Sequence, residues 1–159
     1  MLSHAGPAGF ALFLLCCMET LLCSHTAPTH RLQPNEVRKI LLELRHLSKG
    51  LLEDYQKKET QLPQSNRSSL PCLTSDSQPP HINSSAILPY FRAIRTLSDK
   101  NAVDKVLEQL DKLKFQHEPE TEVSMPKDTF ERKTFTLTVL QQFSVCLDGV
   151  LKSLKSGPQ

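Results

Sequence analysis

The chain has 159 residues, of which 38% are apolar and 23% charged, with 19 basic and 17 acidic side chains and no Trp. A formal charge of +2 is too mild to make nucleic acid or heparin the main partner, and the apolar content suits a soluble fold with one modest core.

Residues 10–17 (FALFLLCC) read as the apolar centre of a secretory signal peptide. The run is far shorter than the roughly 20 residues needed to cross a bilayer, and Glu19 and Ser24 interrupt it. Removal of residues 1–23 leaves 24–159 as one secreted domain. Losing Glu19 raises its formal charge to +3. Later segments lack the roughly 18 unbroken apolar residues of a span, so no membrane insertion is expected. Cys16 and Cys17 leave with the signal and Cys23 lies at the cleavage point, so Cys72 and Cys146 remain. An even pair in an oxidising compartment points to one disulfide; two separate thiols, one buried in a helix, are the other reading.

Residues 35–58 place Val37, Ile40, Leu41, Leu44, Leu47, Leu51, Leu52 and Tyr55 at steps of three and four. That spacing makes one apolar stripe on an α-helix, with Asn35 as its cap. Residues 59–83 differ in kind. Pro63, Pro71, Pro79 and Pro80 exclude regular structure, and Asn66-Arg-Ser and Asn83-Ser-Ser are N-glycosylation acceptors on a long surface connection.

A second helix is expected over 85–97, capped by Ser84 or Ser85, with Ile87, Leu88, Phe91, Ile94 and Leu97 facing inward. Pro89 would be tolerated in or near its first turn. After a short polar break, a third helix is expected over 101–115, capped by Asn101, with Val103, Val106, Leu107, Leu110 and Leu113 as its stripe. Residues 116–127 are irregular, and Asp128 with Glu131 has capping-box spacing for a last helix over 128–155. Phe135, Leu137 and Val139 alternate with Thr134, Thr136 and Thr138, which taken alone reads as a strand. A lone strand would have no partner, and the helical run continues directly from it, so helix is the expectation.

Connection lengths then select a topology. The first is long enough to run the length of the bundle, so the first two helices can point the same way. The second is too short for that, and the third is long again. Long, short, long predicts an all-α, up-up-down-down four-helix bundle; up-down-up-down with loose loops is the alternative.

Signatures of catalysis are missing: there is no G-x-S-x-G, H-E-x-x-H, P-loop or Rossmann glycine pattern. His46, His81 and His117 lack metal-ligand spacing, and the two cysteines do not form C-x-x-C. No enzyme, cofactor or metal is expected. What remains is display: Glu36, Lys39, Glu43, Arg45, His46 and Lys49 on the first helix, and Lys100, Asp104, Lys105, Glu108 and Lys112 on the third. Side by side, these two helices would present a joint charged surface that is either a binding epitope or only a solvated face.

Five stretches give the chain a specific likeness: VRKILLEL at 37–44, LPCLTSDSQPP at 70–80, SSAILPYFRAIRTLSDK at 84–100, LDKLKFQHEPETE at 110–122 and QQFSVCLDGVLKSLKSG at 141–157. The chain resembles the interleukin-31 family of interleukin-6-type cytokines from the signal peptide to the C-terminus, in a mammalian, carnivore-like version. The resemblance implies a secreted, monomeric T-cell cytokine that binds interleukin-31 receptor α together with oncostatin M receptor β. Signalling would run through Janus kinases and STAT factors, with itch and skin inflammation as outcomes.

It also directs attention to Phe130-Glu-Arg-Lys133. Leukaemia inhibitory factor and oncostatin M use a Phe-x-x-Lys motif near the start of the last helix to engage a second receptor. The spacing puts both side chains on one helical face, although Phe130 is alternatively a hydrophobic staple on the cap. The family has Cys where this chain has Arg132. A secreted amphipathic-helix protein that binds lipid or perturbs membranes is the alternative reading of function. The mixed signs of the charged faces argue for a closed bundle instead.

Overall fold

In the computed structural model, residues 32–63, 69–74, 81–114 and 122–156 are described. The signal-peptide expectation over 1–23, the sequon at Asn66, and His117 lie outside them. The chain divides into Met1–Arg31 and Leu32–Gln159, and the second unit holds four helices: α1 (Pro34–Lys58), α2 (Ser84–Ile94), α3 (Lys100–Lys112) and α4 (Thr129–Lys155). Among the described residues the sole β feature is an isolated antiparallel bridge between Leu73 and Ile82.

Each helix starts where its capping chemistry is best, which moves three of the expected boundaries. α1 begins at Pro34, and its cap is Gln33 rather than Asn35. Proline suits the first helical position, and the Gln33 N–H donates to the Glu36 carboxylate at 3.0 Å. α2 is capped by Asn83, not by Ser84 or Ser85: its Oδ1 accepts from the Ala86 N–H at 3.1 Å. The helix therefore starts at Ser84, earlier than expected, and Pro89 falls inside it, beyond the first turn. Proline has no N–H to give the Ser85 carbonyl, so α2 loses one internal bond there. Burial of Ile87, Leu88 and Phe91, each at most 1% exposed, holds the helix in spite of it.

α2 also ends sooner, at Ile94 rather than 97, where the Leu97 and Ser98 N–H groups both turn back to the Ile94 carbonyl. Asp99 then caps α3 in place of Asn101, accepting from the Ala102 N–H at 3.0 Å. Its carboxylate suits the positive N-terminal end of the helix dipole. α3 stops at Lys112, short of 115. Asp128 caps α4 as its spacing predicts, accepting from the Glu131 N–H at 3.0 Å.

The threonine alternation at the start of α4 belongs to a helix, as expected. Thr134, Thr136 and Thr138 are all buried, so this stretch is enclosed on most sides and no polar face has to alternate with an apolar one. Two of the hydroxyls bond one turn back: Thr136 Oγ1 to the Arg132 carbonyl at 2.9 Å, and Thr138 Oγ1 to the Thr134 carbonyl at 2.8 Å. By length and composition α4 would pass for a membrane span, but 61% of its most apolar window is buried inside the bundle. Most of its apolar surface is covered by its neighbours, while Phe130, Val145 and Leu154 stay exposed.

Helix directions follow from cross-contacts. Arg45, in the first half of α1, pairs with Asp148 near the end of α4. Tyr55, near the end of α1, bonds to Lys133 near the start of α4. The two helices are therefore antiparallel. At the start of α2, the Asn83 N–H donates to the Cys72 carbonyl at 2.8 Å, and Cys72 is disulfide-bonded to Cys146. Further along α2, Tyr90 stacks on Phe135 with ring centroids 6.1 Å apart. So α2 also runs against α4, and hence with α1. The tight turn into α3 reverses the chain, giving the up-up-down-down order. α1 packs on α3 and α4, and α2 on α3 and α4. Where the helices converge, Phe91 and Phe143 meet edge to face at 4.6 Å, both fully buried.

The long first connection descends along α4. The Leu70 N–H donates to Gln142 Oε1 at 2.6 Å, and Cys72 joins Cys146 with a Cα–Cα distance of 6.0 Å. Two extended residues advance roughly 6.6 Å and four helical residues about 6 Å, so both attachments hold in register. Closing so long a loop constrains the unfolded chain by on the order of 4 kcal/mol. Replacing both cysteines with serine is expected to cost about 2–4 kcal/mol in urea unfolding, with little change in helical circular dichroism. An unchanged unfolding midpoint would show that the bond adds nothing to the helical packing.

Candidate functional site

At the end of the bundle where α1 finishes and α4 starts, Phe130 and Lys133 occupy successive turns of one face. Phe130 is 53% exposed, well short of the burial a hydrophobic staple requires. Lys133 is held on two sides. Its Nζ lies 2.8 Å and 2.9 Å from the two carboxylate oxygens of Glu59, and its carbonyl accepts from the Tyr55 hydroxyl at 3.2 Å. Tyr55 and Glu59 stand one turn apart at the end of α1, which lets both reach the same residue. Tyr55 is itself 3% exposed, and burial, partly offset by a Thr136 side-chain hydrogen bond, pushes its phenol above the usual value. An exposed aromatic thus stands one turn before a half-exposed ammonium that is directed at the Glu59 carboxylate.

Neither Tyr55 nor Glu59 was singled out in the sequence as part of this site. Tyr55 closes the α1 core stripe, and its role shows only once α4 is laid antiparallel beside it. Arg132 is half-buried, with its Nε enclosed and without a hydrogen-bond partner.

The charged residues expected on a joint α1–α3 surface separate into groups. Arg45, Leu52 and Gln56 lie on the α1 edge that meets α4. At about 100° per residue, Glu36, Glu43 and Leu47 therefore fall on the opposite edge, beside α3. Glu43 is exposed there, whereas Lys49 stands on the outer face, away from the buried stripe. On α3, Asp104 turns toward α2. Arg95 grips it with two bonds, Nε to Oδ1 at 2.5 Å and Nη2 to Oδ2 at 2.8 Å. Lys105 is exposed on the other edge of α3, toward α1, and Glu108 pairs with Lys112 at 3.0 Å on the outward face. Glu43 and Lys105 thus lie on the facing edges of α1 and α3, and Asp104 belongs to the α2–α3 corner.

A groove of about 590 Å³ runs between Leu52 and Gln56 of α1, the descending segment at Leu70 and Cys72, and α4 at Gln142 and Val145. Among the described residues, no cluster of three or more His, Cys, Asp or Glu is placed to hold a metal ion.

Comparison with known proteins gives consistent likenesses. The profile of the family described as "Interleukin 31" matches residues 24–153. Interleukin-31 from Homo sapiens is 50% identical over 161 residues, covering 100% of this chain and 98% of that protein. Interleukin-31 from Mus musculus is 30% identical over 157 residues, covering 92% and 93% respectively. No solved structure matches the chain.

Two measurements test the local geometry. Tyr55→Phe is expected to lower stability by about 1 kcal/mol, one buried hydrogen bond, while Phe130→Ala stays within about 0.5 kcal/mol of the parent. A large loss for Phe130→Ala in thermal unfolding would mean that the ring is a structural staple. The Arg95 hydrogen bond, followed by the charges of Arg95 and Lys100, holds the Asp104 carboxyl below its ordinary value against a desolvation that opposes it. A lowered carboxyl stabilises the fold above its unfolded-state value, and that contribution disappears as pH falls through the folded one. Asp104→Asn is therefore expected to flatten the stability profile below about pH 4, measured by unfolding at stepped pH.

Proposed function

Because the chain belongs to the interleukin-31 family, and so to the cytokines rather than the enzymes, we propose that it is secreted and bridges two different cell-surface receptor chains. By family likeness these are interleukin-31 receptor α and oncostatin M receptor β, and their juxtaposition starts Janus kinase and STAT signalling in itch and skin inflammation. The observation that carries this reading is the Phe130–Lys133 turn, an exposed ring next to a cation anchored by Glu59. Such a pair suits a receptor pocket that takes the ring and a carboxylate or carbonyl that meets the charge. The second contact is assigned to the α1–α3 surface around Glu43 and Lys105, with Glu108 at its outer margin; Lys49, seven residues before Gln56, lies toward the α4 side and outside it. Asp104 is given the supporting role of holding the α2–α3 corner.

The two surfaces involve different helix pairs, so one chain can hold two receptors without overlap. The secreted protein is expected to bind each ectodomain singly and to bring both together in surface-binding measurements. Phe130→Ala should weaken one contact by about tenfold or more, as for a buried aromatic anchor, and leave the other unchanged. Glu43→Lys with Lys105→Glu should do the reverse. Equal loss of both contacts, or of neither, would remove Phe130 from the interface.

A further inference from the structure

The start of α2 combines two features that pull in opposite directions. Asn83-Ser84-Ser85 is an acceptor sequence for N-linked sugar, and the same residues form a closed helix cap. Asn83 Oδ1 holds the Ala86 N–H, and the Asn83 N–H is donated to the Cys72 carbonyl. Ser84 and Ser85 are 2% and 1% exposed, and both hydroxyl oxygens are enclosed without a hydrogen-bond partner. A transferase must take the asparagine amide and the hydroxyl two residues on together, from a peptide free of helix. In the folded chain that hydroxyl faces the core, and the Leu73–Ile82 bridge and the Cys72–Cys146 bond pin the segment from the other side.

We propose that Asn83 is a glycan acceptor open only before α2 docks, so that helix capping and disulfide closure end the period in which it can be modified. The inference rests on the secretory reading above, since the donor is an oligosaccharide linked to a lipid diphosphate. In the transfer, the bond from the sugar's C1 to the diphosphate oxygen breaks and a C1–Nδ2 bond forms. Nδ2 gives up one proton, and the lipid diphosphate departs. The finished cap uses only the side-chain oxygen, so a sugar on Nδ2 leaves the Ala86 bond in place.

The location is also compatible with signalling. Asn83 lies at the level of Cys146, which is 16 residues along α4 from Phe130, or about 24 Å. α2 stands across the bundle from α1, with which it makes no helix–helix contact. A sugar there starts about 24 Å along α4 from Phe130 and at the start of a helix that does not contact α1.

The test uses the full chain made in bacteria, in two forms: refolded with its disulfide, and reduced and alkylated. Each is incubated with solubilised oligosaccharyltransferase and lipid-linked oligosaccharide, and Asn83 occupancy is read by glycopeptide mass spectrometry. The reduced chain is expected to be modified at Asn83 at least about tenfold faster than the oxidised one, since loss of the Cys72–Cys146 bond raises the fraction of chains locally open at the α2 cap even where helix content is kept. Ser85→Ala should abolish the transfer in the reduced chain. Equal rates for the two forms would overturn the gate. No transfer to Asn83 in the reduced chain, or transfer that survives Ser85→Ala, would overturn the site. The assay involves neither secretion nor receptors, so its failure is separable from that of the proposed function.

Discussion

Enclosure of α4 is the constraint to which the other elements answer. This helix is flanked by α1 and α2 and by the descending segment that holds Leu70 and Cys72. Between residues 134 and 140 it is so nearly enclosed that three threonines lie inside, two of them satisfying their hydroxyls on the helix's own backbone. Polar groups out of water are costly unless bonded, and the back-bonds to Arg132 and Thr134 meet that need locally. The same enclosure buries most of the apolar window of a helix long and apolar enough for a membrane inside the bundle. Phe143 against Phe91 and Tyr55 against the Lys133 carbonyl are consequences of where α4 sits.

The long connection between α1 and α2 follows from parallel neighbours. Two helices that point the same way need a return path along the bundle, and that path exposes backbone polar groups unless something receives them. Gln142 receives Leu70, the disulfide fixes Cys72, and a short antiparallel pairing with residues 81–83 hands the chain to the α2 cap. The attachments fall one helical turn apart on α4, matching the advance of the extended strap. The disulfide thus fastens a crossover and does not merely join two remote points.

At the end of the bundle where α4 starts, Phe130 is exposed and Lys133 is tethered to Glu59. An ammonium on a flexible stem is poorly directed by itself, and ordering it costs side-chain entropy. Glu59 and the capped, packed ends of α1 and α4 meet that cost before any partner arrives. In the proposed receptor contact, a partner would meet a preorganised charge beside an aromatic ring, the arrangement in which little freedom is lost on binding. The α1–α3 surface is of a different kind, a mixed-charge face between two exposed edges, better suited to setting orientation than to supplying a single anchor.

The helical periodicity of the apolar residues, the prolines between helices and the connection lengths were sufficient to determine four helices and their order, and to favour the up-up-down-down arrangement over up-down-up-down. These are local or counting properties of a chain, so no neighbour is needed to read them. The exact caps were less legible, because Gln33, Asn83 and Asp99 compete with adjacent capping residues and packing decides among them. The core position of the α4 threonines, the turning of Asp104 toward Arg95, and the clamp of Tyr55 and Glu59 on Lys133 came only with tertiary structure. Each depends on residues far apart in sequence or on which edge of a helix meets which neighbour. A side chain's partner across a bundle is set by helix rotation and register, and those are fixed by the collective burial of every stripe at once.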